Sequence, residues 1–178
     1  MVIARERIII YSRDDAFFFS SSSFCASCAF RVDSFQTNEK AEKQKPKKSK
    51  VKKILKRELA SRRKYKTTYK DIKKYFKIIN KAVFDNVLSP FNEILIKKIR
   101  DPKIKCMGQV VVWEWKRKGT RVFHLEMLPE YYDKREFVDT LGHEMVHLYQ
   151  MANVGDSGNH NKLFYSFRPK LNAIGLDL

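Results

Sequence analysis

Thr140-Leu141-Gly142-His143-Glu144-Met145-Val146-His147-Leu148-Tyr149 is the stretch on which the reading of this 178-residue chain turns. It lies inside a run of apolar positions, Phe137, Val138, Leu141, Met145 and Leu148, that recur at helical spacing, and Asp133 followed by Glu136 marks a helix start. The pattern predicts a long helix from about Lys134 to Met151. Four residues of helix turn through about 400° and rise about 6 Å, so the imidazoles of His143 and His147 project from nearly one face and can grip one ion. Glu144 stands beside them as a general base for water at the ion, not as a third ligand. The plain alternative is a pair of surface histidines; the glutamate between them completes H-E-x-x-H and favours the metal site.

A catalytic zinc site takes three protein ligands and leaves one position open. No Glu follows Glu144, which argues against two histidines completed by a later glutamate. Gln150 stands where the extended H-E-x-x-H-x-x-G-x-x-H pattern requires glycine, and Asn153 where its last histidine would fall. The remaining donors downstream are His160, thirteen residues beyond His147, and Asp156. Gly155 and Gly158 allow the chain to reverse, which favours His160 and a three-histidine site.

Working outward, Thr68 and Asp71 form a second helix-start signal, and Ile72, Tyr75, Phe76, Ile79 and Val83 follow at helical spacing up to Ser89-Pro90. Phe91 to Ile99 reads as a short strand closed by Asp101-Pro102. Gln109 to Lys116 and Thr120 to Met127, separated by Arg117, Lys118 and Gly119, read as a hairpin. Val111, Trp113 and Trp115 share one face of its first strand, and Phe123, Leu125 and Met127 one face of its second; both faces are expected against the core. A last helix from about Asn161 turns Leu163, Phe164, Phe167 and Leu171 inward, is kinked or divided by Pro169, and stops at Gly175. The expected fold class is α+β, with a small antiparallel sheet and an active-site helix.

Three segments follow: 1–37, without helical or strand period and expected to be poorly ordered; 38–64, a basic linker or helix; and the domain, 65–178. From Asn38 to Lys70 fifteen Lys and Arg face three Glu, which carries +12 of the chain's +17. Lys47, Lys48, Lys50, Lys52, Lys53, Arg62 and Arg63 are therefore the candidate contacts to nucleic acid, non-specific in character, against the plainer reading of a solvated linker. Hydrophobic residues at 43% and aromatic residues at 13% suffice for one core. Three cysteines are too few for a disulfide framework, and Cys25 and Cys28 lack the second pair of a zinc ribbon. No run of eighteen apolar residues is present. The expectation is a soluble monomer of a reducing compartment, cytoplasmic or, in a eukaryote, nuclear, with no membrane partner. His124 reads as a strand histidine, and Trp113 and Trp115 as packing residues.

The active-helix segment, followed by Gly158-Asn159-His160-Asn161-Lys162-Leu163-Phe164 and then Leu171-Asn172, resembles the SprT-like domain of zinc metallopeptidases in its short, stand-alone form. The resemblance covers residues 65–178. It implies a zincin-like fold, a bound Zn2+ held by His143, His147 and His160, Glu144 as the catalytic residue, and a protein substrate, including proteins associated with DNA. Asn159 and Asn161 depart from the family pattern, which has glycines around the third histidine. Two functions are set against each other: a zinc-dependent endopeptidase, and a DNA-associated binding protein with a structural or inactive zinc. Retention of Glu144 favours the enzyme. Tyr149, Tyr165 and Arg168 are the candidates to stabilise an oxyanion, with nothing in the sequence to choose among them.

Overall fold

The computed structural model describes residues 6–11, 48–99, 106–115 and 120–178. In chain order these form β1 (Glu6–Tyr11), α1 (Lys48–Glu58), β2 (Tyr65–Lys66), α2 (Tyr69–Val83), β3 (Glu93–Ile96), β4 (Gly108–Trp115), β5 (Thr120–Met127), β6 (Glu130–Tyr131), α3 (Lys134–Tyr149), a π-turn (Gln150–Val154), α4 (Lys162–Tyr165) and α5 (Arg168–Ile174). The class is α+β. Both start signals act as capping residues: the Asp71 N–H donates to Thr68 Oγ1 at 3.1 Å, and the Glu136 N–H to Asp133 Oδ1 at 2.8 Å.

The main sheet has the order β1-β4-β5-β3. β4 pairs antiparallel with both β1 and β5, whereas β3 pairs parallel with β5, so the sheet is mixed and not the antiparallel sheet expected. The reason is topological: β3 to β4 and β4 to β5 are two successive reversals, which leave β5 running the way β3 runs. β2 and β6 form a separate two-stranded ladder.

Residues directly opposite in an antiparallel pair share a face. Leu125 opposes Val110 and Phe123 opposes Val112, so Val110 and Val112, not Val111 and Trp113, turn to the core. Val111 lies on the other face, across from His124. That face also buries Gln109, which donates to Glu126 at 2.6 Å while Lys97 pairs with Glu126 at 2.8 Å.

α3 packs on α2 and on β4, with Phe137 at the centre of the rings of Tyr65, Tyr75 and Tyr131 at 4.9, 6.2 and 5.6 Å. The packed unit reaches back beyond residue 65. Val51, Leu55 and Leu59, four apart, are buried in the same core, and α1 lies against α5. Glu58 fastens α1 to α2 by accepting from Lys74 Nζ and Tyr75 Oη, each at 2.6 Å, and these two partners hold its carboxyl below the usual range. Pro169 divides the last helical region as expected, and sits in the first turn of α5 where its missing N–H costs nothing. Gly175 ends α5 at φ 86°, and Gly155 ends the π-turn at φ 73°.

Of segment 1–37, residues 6–11 form β1; the remainder, with Cys25 and Cys28, lies outside the described residues, as do Lys47 and the hairpin turn 117–119. Among the described residues no helix is long and apolar enough to cross a membrane.

Candidate metal centre

α3 carries His143 and His147 one turn apart, and α4 together with the loop before it brings His160 to meet them. The three Nε2 atoms lie 3.1 Å (His143 to His147), 3.0 Å (His143 to His160) and 3.2 Å (His147 to His160) from one another. Zinc–nitrogen bonds of about 2.0–2.1 Å at tetrahedral angles set nitrogens about 3.3 Å apart, so this donor set fits one such ion with little adjustment. Three imidazole nitrogens converging at this distance form a donor set that could hold one shared cation. These three residues form the one cluster among the described residues that can hold a metal ion, and no fourth His, Cys, Asp or Glu joins it.

The surroundings keep the imidazoles of His143 and His147 neutral. Burial pushes His143 down to about 2, with the neighbouring imidazoles adding to the effect. Burial likewise lowers His147 to about 4, with His160 adding to it, while the acceptors Gln150 and the Gly158 carbonyl pull part of the way back. A neutral imidazole is the metal-binding form. Phe164, itself buried, floors the site with its ring centroid 4.8 Å from His143, 4.8 Å from His147 and 4.4 Å from His160.

Glu144 follows His143 on α3 and faces β4. It is fully buried, and neither carboxylate oxygen has a hydrogen-bond partner. Burial raises its carboxyl to about 8 against the opposing pull of the Val110 N–H, which lies nearby without completing a bond of ordinary geometry. The close approach of α3 to β4 requires glycine at 108: a Cβ there would stand 2.8 Å from Thr140 Cγ2 and 3.3 Å from Glu144 Cγ.

Asp156, the alternative donor, stays outside the triad and organises the loop instead. Its Oδ1 accepts from the Ser157 N–H at 2.6 Å and its Oδ2 from Asn161 Nδ2 at 2.6 Å, and these bonds hold its carboxyl below the usual range. Asn161 also caps α4, accepting from the Phe164 N–H at 3.1 Å, which gives one of the two departures from glycine a structural task. Of the oxyanion candidates, Tyr149 packs between Phe84 and Phe167, whereas Tyr165 lies 6.4 Å from His160, ring to ring, with the Arg168 guanidinium 5.0 Å above its own ring.

His124 stays on the sheet, paired with Glu93 at 3.1 Å. Lys48, Lys50, Lys52 and Lys53 are exposed on α1, and Arg62 and Arg63 are exposed just beyond it. The residue missed by sequence reading is Gln150, which is buried beside His147. Its spacing of three from His147 on an uninterrupted helix was the available signal. Comparison with protein-family models, with curated proteins and with solved structures gives no match.

Proposed function

We propose that this chain is a zinc-dependent endopeptidase similar to the SprT-like metallopeptidases, hydrolysing peptide bonds of proteins, including proteins bound to nucleic acid. The observation that carries this reading is the convergence of three Nε2 atoms within 3.2 Å of one another beside a buried glutamate without a hydrogen-bond partner. A zinc ion held there supplies a Lewis acid that polarises the scissile carbonyl and makes water nucleophilic near neutral pH. His143, His147 and His160 would hold it through Nε2. Glu144, in the ionised form that a cation beside it would favour, takes a proton from the attacking water onto a carboxylate oxygen and hands it to the leaving amide nitrogen. Tyr165, with Arg168 stacked on it, is assigned as the donor to the carbonyl oxygen. A closed structural site needs a fourth ligand, and the described residues supply none.

The exposed lysines of α1 with Arg62 and Arg63 are assigned to sequence-independent contact with nucleic acid, which raises the local concentration of DNA-associated substrates. Their support is an ordered helix whose apolar side is buried, so that the basic side faces outward.

The test is hydrolysis of an unfolded protein by the purified chain, before and after chelation and after zinc is restored. Cleavage that is lost on chelation and regained with about one equivalent of zinc supports the reading. Undiminished cleavage by the metal-free chain overturns it, and a fully zinc-loaded chain that cleaves nothing replaces it with a metal-binding protein that is not an enzyme.

A further inference from the structure

The π-turn after α3 sends one polar side chain back into the molecule. Gln150 is fully buried, and its carboxamide is engaged at both ends. Nε2 faces three oxygens: the Asn159 carbonyl at 2.8 Å, Asn161 Oδ1 at 3.2 Å and Asp156 Oδ2 at 3.3 Å. All three are acceptors, because Asn161 already directs its own Nδ2 at Asp156 and the Asp156 carboxyl is held in its ionised form. The surroundings therefore fix the amide orientation, with the NH2 end toward the loop and Oε1 toward His147 Nδ1 at 3.2 Å. An amide oxygen only accepts, and the Gly158 carbonyl is a second acceptor at the same ring. Nδ1 must then carry the proton, and His147 Nε2, which faces His143 and His160, keeps its lone pair. The Gln150 backbone carbonyl acts on the same loop by accepting from the Asp156 N–H at 2.9 Å.

We propose that Gln150 is the positioning residue of this centre: one end of its carboxamide sets the His147 tautomer, and the other pins the loop of residues 156–161 that carries His160. The inference rests on the metal reading of the triad. It follows from two general facts. An outer partner on the second ring nitrogen orients a ligating histidine, and a buried N–H without an acceptor is costly enough to change tautomer. The π-turn contributes by winding the chain one residue wider, a distortion of α-helices that recurs at functional sites.

Two variants of the full chain separate the two ends. Gln150→Leu removes both. Gln150→Glu keeps an acceptor for Nδ1 but offers no donor to Asn159 and sets a second carboxylate beside Asp156. Zinc affinity is read by competition with a chromophoric chelator, and the His147 tautomer by nitrogen-15 NMR of the metal-free protein. Gln150→Leu should weaken zinc binding about 10- to 100-fold and, with only the Gly158 carbonyl left to accept at this ring, raise the Nε2–H fraction above that of the wild type. Gln150→Glu should keep Nδ1–H yet lose affinity through the loop, so that adding His160→Ala costs it less than His160→Ala costs the wild type. If the leucine variant does not fold, the glutamate variant and its double carry the decision. Zinc affinity within about threefold of wild type in the folded variants, an unchanged tautomer in the leucine variant, or full additivity in the double overturns the proposal. A wild-type chain that binds no zinc overturns the metal reading instead, and the tautomer in the metal-free protein still decides the part played by Gln150.

Discussion

His143 and His147 stand on one face of a helix, whereas His160 is delivered by a loop, and the two arms of the site are held by different physics. The helix pair rests mainly on the backbone ladder of α3 and the burial of Phe137, Leu141 and Met145 behind it. The loop ligand depends on side chains bonding to side chains and to backbone: Gln150 to Asn159, Asn161 to Asp156, Asp156 to Ser157. Helical geometry gives the first arm most of its precision, with Gln150 acting on one ring; the second arm has precision only as long as its polar network is complete. Substitutions on the helix should therefore remove the site outright, and substitutions around the loop should grade it.

The largest effect is expected from His147→Ala. It deletes a ligand, and zinc affinity by chelator competition should fall by more than the roughly 10- to 100-fold typical of losing an outer partner. His160→Ala should also weaken retention strongly, and Asp156→Ala less, because Asp156 acts on the loop and not on the ion. Equal losses for the last two would break the contrast between ligand and support.

Next in size is truncation. Removing residues 1–64 takes away Val51, Leu55 and Leu59, each buried and each worth roughly 1.5–3 kcal/mol, against a total stability of about 5–15 kcal/mol for a typical domain. Thermal melting of residues 65–178 should be lost or far lower than that of residues 48–178. An unchanged melt would show that α1 only rests on the core.

Gly108→Ala should cost about 1–3 kcal/mol, since the stiff Thr140 side chain must move from a contact of 2.8 Å. It should lower peptide hydrolysis by disturbing Glu144 while zinc content stays at the wild-type level. Loss of zinc in this variant would mean that the helix arm is less independent of its neighbours than its geometry suggests.

The smallest effect on the site belongs to α1. Lys50→Glu with Lys53→Glu should leave zinc affinity and cleavage of a free protein unchanged. It should reduce the salt dependence of DNA binding, whose log-log slope is about −0.9 per neutralised phosphate. A slope equal to that of the wild type would assign the affinity elsewhere.

The same contrast governs what could be read from the sequence. Helix spans, both capping signals, the hairpin and the H-E-x-x-H pair were legible because each is a local pattern with a period. Val110, Val111 and Val112 are apolar on both faces of β4, so only the register with β5 tells which face turns inward. The stretch 51–59 was hard to place as core because Val51, Leu55 and Leu59 are diluted among lysines, although their spacing of four is regular. Gln150 was legible only in part: its spacing of three from His147 placed it near that ring, but a local widening of a helix has no residue signature, and the amide's hold on the loop appears only when residues 156–161 fold back upon it.

The central claim is that a carboxylate acts on water beside a metal that it does not bind. Glu144→Gln tests it most directly, since a neutral amide of the same shape fills the same buried space without carrying a charge into it. Zinc content and hydrolysis of an unfolded protein are measured on the same preparation. The account predicts about one zinc per chain with peptide hydrolysis abolished. Hydrolysis near the wild-type rate, or loss of the zinc itself, would contradict it.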